Sequence, residues 1–214
     1  MIIRKCLSTT NFNDFVSVLE ADLYRTGIFS TIESPVDEHN IHIKLYYTTD
    51  EYVELLIPIN SDMISVRIGG ASDSGFSTDM SDISGNYISY TIVATAAGSF
   101  AMAMKSITTN TEEERYTNDL QLYITSVSGV KVAITEYYAM YNSSVYYPDL
   151  IFTSSGSAMN WVQLVPFGSP ELGGVSNEVY MIRYTPATCT EITVGTQAYL
   201  FGEKLAIVLE AEND

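Results

Sequence analysis

The stretch Ile41-His42-Ile43-Lys44-Leu45-Tyr46-Tyr47, followed by Thr48-Thr49-Asp50-Glu51 and then Tyr52-Val53-Glu54-Leu55-Leu56-Ile57-Pro58-Ile59, sets the fold class. Ile41, Ile43, Leu45 and Tyr47 alternate with His42, Lys44 and Tyr46. A period of two puts the first set on one face of a strand and the second on the other. The polar residues 48–51 turn the chain and Tyr52 to Ile59 returns it, which is a β-hairpin. Pro58 cannot donate to a strand ladder, so the end of the second strand is an edge or a bulge.

On the N-terminal side the period changes. Phe12, Phe15, Val16, Leu19 and Leu23 recur at steps of three and four and share one helical face. Asn11 fits an N-cap with Asp14 three residues on, and Gly27 fits the left-handed residue that ends a helix. The helix is expected from about Phe12 to Thr26. It is read as the element that precedes the strands.

On the C-terminal side strands follow one another. Met63 to Ile68 ends at Gly69-Gly70, and Asp73 to Gly85, rich in Ser, Asp, Gly and Thr, reads as a loop. Strand-like runs recur at 87–95, 100–107, 120–127, 130–138 and 150–153, with Ser128-Gly129 as a tight hairpin signal. Shorter ones follow at 161–166, 178–184, 191–194, 198–201 and 205–209. Thr108 to Asn118, with Glu112, Glu113 and Glu114, is a polar connector. It divides residues 1–110, a helix plus strands, from 111–214, a β-rich region, and the two also fit one compact domain. The expected fold is mainly β (α+β): an N-terminal helix, a β-hairpin, then an antiparallel β-sandwich or barrel.

Composition narrows the function. The chain has 214 residues, is 46% hydrophobic and is 17% charged, below the average of roughly 25%, so it is expected to bury a core rather than stay disordered. Ten basic residues against 26 acidic ones give a net charge of -16. That balance opposes nucleic-acid phosphates and anionic membrane surfaces. No apolar run approaches a membrane span and no signal peptide is read at the start. Cys6 and Cys189 allow one disulfide, although two free thiols are the commoner case without export signals. Asn142-Ser143-Ser144 fits a glycosylation sequon, read as a chance match.

Catalytic patterns are scarce. His39 and His42 are the two histidines, no Gly-x-Ser-x-Gly elbow accompanies them, and no cysteine lies near enough to complete a zinc set. Gly69-Gly70 and Gly173-Gly174 lack the lysine and helix of a phosphate loop. Asp73, Asp79 and Asp82, among serines, offer the hard oxygen ligands calcium takes, but not at EF-hand spacing; a solvated loop is the plain alternative. No cofactor is expected. A carboxylate pair for glycoside hydrolysis is a spatial feature that 26 acidic residues make unspecific.

Residues 136–147 hold Tyr137, Tyr138, Tyr141, Tyr146 and Tyr147 around Asn142-Ser143-Ser144. Rigid amphipathic rings beside adaptable hydrogen-bonding groups are contact chemistry, suited to a subunit or a sugar. Cross-strand tyrosine pairs stabilising a hairpin would look the same.

The C-terminal part reads Leu164-Val165-Pro166-Phe167, Asn177-Glu178-Val179-Tyr180-Met181, and Tyr199-Leu200-Phe201-Gly202-Glu203-Lys204-Leu205-Ala206-Ile207. This resembles the ending of small uncharacterised virion structural proteins of tailed phages and prophages of gut Firmicutes. Those chains finish with a strand, a Tyr-Leu-x-x-Gly turn and a last apolar strand; here the turn is one residue shorter. The resemblance covers about Val162 to Leu209, and the segment from Asp22 to Phe29 is similar in style to their openings. It implies a non-enzymatic virion component, assembled in the host cytoplasm, whose partners are copies of itself and other virion proteins; it carries over no catalytic residue. The alternative is a β-sandwich module for host-surface carbohydrate, with calcium at Asp73, Asp79 and Asp82.

Overall fold

The computed structural model describes residues 1–9, 12–59, 64–68, 76–80, 87–107, 116–127, 129–135, 139–141, 144–146, 148–152, 161–166, 178–182, 190–194, 196–201 and 205–209. Among them the chain forms one helix and three antiparallel sheets. The five-stranded sheet runs in sequence order through β2 (Thr31–Glu33), β3 (Asn40–Tyr46), β4 (Tyr52–Pro58), β5 (Ile64–Ile68) and β6 (Phe76–Met80). The seven-stranded sheet has the order β1 (Ile2–Ser8), β7 (Tyr87–Ala94), β8 (Phe100–Ile107), β9 (Tyr116–Val127), β10 (Val130–Ile134), β11 (Ala139–Tyr141) and β12 (Ser144–Tyr146). The six-stranded sheet has the order β13 (Pro148–Phe152), β14 (Trp161–Pro166), β15 (Val179–Ile182), β18 (Leu205–Leu209), β17 (Gln197–Phe201) and β16 (Thr190–Val194). The molecule is therefore mainly β. No helix among the described residues is long and apolar enough to cross a membrane.

The β3–β4 hairpin forms as its alternation requires. Ile41, Ile43 and Leu45 are buried while His42, Lys44 and Tyr46 are half-exposed, and Tyr46 pairs with Tyr52 across the closed end. The helix α1 (Phe12–Arg25) buries Phe15, Val16, Leu19 and Leu23. It stops where the Thr26 and Gly27 amides donate to the Leu23 and Tyr24 carbonyls, with Gly27 at a φ of 66° that a side chain would strain. Asn11 lies outside the described residues.

Two expectations are corrected. The helix is not the first element: β1 precedes it and pairs with β7, from Ile2 opposite Val93 to Ser8 opposite Tyr87. As an outermost strand β1 buries fully only Ile3, with Arg4, Cys6 and Ser8 exposed and Lys5 and Leu7 half-buried. Because Lys5 stands in the inner row and Cys6 in the outer one, residue types do not alternate with that exposure and the sequence does not mark the strand. Nor is 73–85 all loop. Phe76–Met80 is β6, paired along its whole length with β5; its Ser77-Thr78-Asp79 interior reads like a turn, and its apolar residues, Phe76 and Met80, stand at the two ends. Beyond these, β9 starts at Tyr116, inside the polar connector, and its register with β8 skips Asn118, a β-bulge.

Strands β7 to β10 of the seven-stranded sheet bury side chains on both faces. Ile88, Tyr90, Ile92, Phe100, Met102, Met104, Leu120, Leu122 and Ile124 share one cluster with α1 and the inner face of the five-stranded sheet. Val93, Ala101, Tyr123, Val132 and Ile134, on the opposite side, pack with Val179, Leu200, Ile207 and Leu209 of the six-stranded sheet. A strand covered on both faces has no polar face to show, and Ala101-Met102-Ala103-Met104 is the result. No sheet closes into a barrel among the described residues.

Candidate functional site

The outer face of the five-stranded sheet gathers side chains with chemistry. Register puts Thr31, Tyr46 and Tyr52 in one cross-strand row and Glu33, Lys44, Glu54 and Arg67 in the next, so charge alternates from strand to strand. At the closed end of the hairpin a cleft of about 330 Å³ is lined by Ser30, Thr31, Glu33, Tyr46 and Thr49. The Tyr46 hydroxyl donates to Glu33 Oε2 at 3.3 Å. The Tyr46 and Tyr52 rings lie 5.0 Å apart, tilted by 47°, and Lys44 Nζ sits 5.1 Å from the Tyr52 ring centre. Burial and then the neighbouring Glu33 charge push the Tyr46 phenol above its ordinary value, so it stays a donor at neutral pH.

The hairpin end is braced. Tyr47 N donates to Glu51 O at 3.1 Å, Glu51 N to Thr48 Oγ1 at 3.0 Å, and Ser30 N to Tyr46 O at 2.9 Å. Tyr47 points into the core, where its hydroxyl has no hydrogen-bond partner and burial pushes its pKa up.

Further along the same face His42 is clamped between carboxylates. Nδ1 lies 2.8 Å from Glu54 Oε1 and Nε2 lies 2.9 Å from Asp37 Oδ2. Asp37 also accepts from the His39 and Asn40 amides at 2.7 and 2.6 Å, which closes the turn into β3. Desolvation lowers the His42 pKa, but the hydrogen bonds the ring donates to Asp37 and Glu54, with their charges, outweigh it and the net shift is upward. The His42 hydrogen bond, ahead of the backbone amides, holds Asp37 far below the ordinary carboxylate range. His39 is exposed. The arrangement is an ion cluster, since both imidazole nitrogens are already engaged.

Two other polar knots join elements. Asp22 of α1, 1% exposed, receives Lys5 of β1 and the Tyr90 hydroxyl of β7, both at 2.7 Å, with Arg25 at 3.5 Å. Burial alone would raise the Asp22 pKa; Lys5, Tyr90 and Arg25 together bring it below its ordinary value. Between the seven- and six-stranded sheets, Ser99 Oγ contacts Thr125 Oγ1 at 2.8 Å and donates to Glu178, and Lys131 Nζ donates to Gly98 O at 2.6 Å. A serine beside a lysine invites a nucleophilic reading, but Ser99 is 2% exposed and a substrate has no approach to it.

Of the residues singled out from sequence, Tyr141 lies in β11 opposite Ser144 and Tyr146 in β12 opposite Ala139. The backbone brings these two to one short hairpin at an end of the seven-stranded sheet. Tyr137, Tyr138 and Tyr147 lie outside the described residues. Asp79 is in β6, paired with Ser65; Asp73 and Asp82 lie outside the described residues. Among those described, no three His, Cys, Asp or Glu side chains are placed to hold a metal ion. Cys6 is a free, exposed thiol, and Cys189 lies outside. Sequence reading missed Glu33, Tyr46 and Tyr52. The signal was present: Tyr46 and Tyr52 flank the hairpin turn and had to pair once the turn was placed.

No protein-family model matches the chain, and neither a curated protein nor a solved structure is significantly similar to it.

Proposed function

We propose that the chain is a non-enzymatic structural component of a tailed bacteriophage particle, assembled in the host cytoplasm and packed against copies of itself and other virion proteins in the tail, neck, baseplate or capsid. The observation that supports it most directly is the β11–β12 hairpin, three residues to a strand, at one end of the seven-stranded sheet and carrying Tyr141 and Tyr146. A terminal strand offers unpaired backbone donors and acceptors to a neighbouring chain, and tyrosine adds contact area at low entropic cost. Stacked sheets of the sandwich kind supply the rigid body such a hairpin needs, and the ending at 162–209 carries the resemblance to virion proteins. Quantitative peptide mass spectrometry of purified particles tests the proposal. A fixed ratio to the major capsid protein is expected, near unity for decoration and small for neck, tail or baseplate. Absence from clean particles refutes it.

A second reading, a module that recognises host-surface carbohydrate, is favoured by the cleft beside Tyr46. Its calcium-dependent form would use Asp73, Asp79 and Asp82, and a glycan array with and without chelator separates the two forms.

A further inference from the structure

We propose that the cleft between β2 and the closed end of the β3–β4 hairpin binds a neutral saccharide without a metal ion, with the sugar ring seated against Tyr46 and its hydroxyls held by Glu33, Ser30 and Thr49. The inference rests on the carbohydrate reading above and gives it a place and a ligand class.

The lining selects the ligand by exclusion. Among the described residues Ser30, Thr31, Glu33, Tyr46 and Thr49 supply three hydroxyls, a carboxylate and a phenol, so a wholly apolar molecule would desolvate these groups without replacing their hydrogen bonds. A saccharide has both halves of the complement: C–H faces that lie on an aromatic ring, and hydroxyls that donate to a carboxylate and exchange hydrogen bonds with Ser and Thr. Glu33 accepts from Tyr46 through Oε2, and a carboxylate has further acceptor positions.

Charge narrows the class. Glu33 at the wall, the exposed Asp50 that follows Thr49 in the chain, and a net charge of -16 oppose an anionic sugar. Lys44 Nζ sits 5.1 Å from the centre of the Tyr52 ring, which itself packs 5.0 Å from the Tyr46 ring, so a positive charge already neighbours this aromatic pair and opposes a cationic ligand. What remains is neutral and rich in hydroxyls. The cleft lies at the small end of ligand sites, which suits a short saccharide. Its walls are also set before any ligand arrives. The turn is closed by the Tyr47–Glu51 and Glu51–Thr48 hydrogen bonds, Ser30 Oγ is tied to the Tyr46 and Thr48 carbonyls, and Tyr46 is tied to Glu33. Little ordering is left to oppose binding.

The test is an amide-resolved NMR titration of the full chain, with chelator present, against lactose, maltose, cellobiose and chitobiose, with N-acetylneuraminic acid and choline as charged comparators. At least one neutral disaccharide is expected to shift the amides of 30–33 and 46–52 saturably. Tyr46→Ala should weaken that binding roughly tenfold, and Glu33→Gln several-fold, while the exposed Glu33 position leaves the fold intact. Saturable shifts at these amides only with choline or N-acetylneuraminic acid would overturn the proposal. So would neutral-sugar shifts confined to other residues, an outcome that leaves the carbohydrate reading standing elsewhere on the molecule. No shift with any neutral disaccharide overturns the site, and if a neutral-glycan array is also blank, the carbohydrate reading falls with it. The wild-type titration decides the matter even if a variant fails to fold.

Discussion

His42 has a carboxylate at each ring nitrogen, and neutral imidazole can donate from only one of them. The protonated ring satisfies both Asp37 and Glu54, with Arg67 3.9 Å from Glu54 and Lys44 opposite Glu54 in register as the neighbouring cations. Its upward shift means that the stabilisation is fully present below the ordinary imidazole value of 6.5 and is lost as pH rises through the higher folded-state value. Asp37 shifts the other way, so its contribution is present above the ordinary 3.8 and disappears as pH falls toward the folded-state value. The cluster is therefore complete between 3.8 and 6.5. Denaturant unfolding at about pH 5 and about pH 8 should show wild type losing roughly 1 kcal/mol more than His42→Gln across that interval. Equal pH dependence in the two proteins would show that the ring is not charged in the fold.

Among the elements, β1 and α1 depend on one carboxylate. Asp22 is where helix, edge strand and β7 meet, so removing it strands Lys5 and the buried Tyr90 hydroxyl together. Asp22→Ala should cost about 3 kcal/mol, and Tyr90→Phe, which leaves Lys5 in place, about 1. Hydrogen exchange should show the β1 amides losing protection first in Asp22→Ala. If β1 and β9 lose it equally, the knot does not govern the edge strand. The same strand shows why part of the fold was hidden in the sequence. β3 and β4 announce themselves because one face is wet and one dry, and their partner lies across a short turn. β1 has Ile2, Ile3 and Leu7 for apolar content, and its partner lies far along the chain at 87–93. β6 carries turn-like residues, and β2 has three residues that mean nothing until β3 is beside them. The candidate cleft inherits that limit: Tyr46 and Tyr52 were legible as a hairpin pair, whereas Glu33 and Ser30 join them only through β2.

Across the whole molecule the seven-stranded sheet is a shared wall, and its two faces belong to different partners. Leu122 of β9 points into the cluster built by α1 and the five-stranded sheet, and Ile134 of β10 into the one built with the six-stranded sheet. Both are fully buried. The polar connector at 108–118 marks a change of composition, yet β8 before it and β9 within and after it are hydrogen-bonded neighbours, Met102 opposite Leu122 and Met104 opposite Leu120. A chain cut at residue 110 would leave β8 as a bare edge with Met102 and Met104 on one face and Ala101 on the other, so residues 1–110 alone should be insoluble or associate. In the intact chain, a packing loss on either face should be felt by the whole. Leu122→Ala and Ile134→Ala should each cost about 2–5 kcal/mol and lower one common calorimetric transition. Two transitions, with each substitution moving only one of them, would mean that the wall transmits nothing and that the regions on its two faces fold independently.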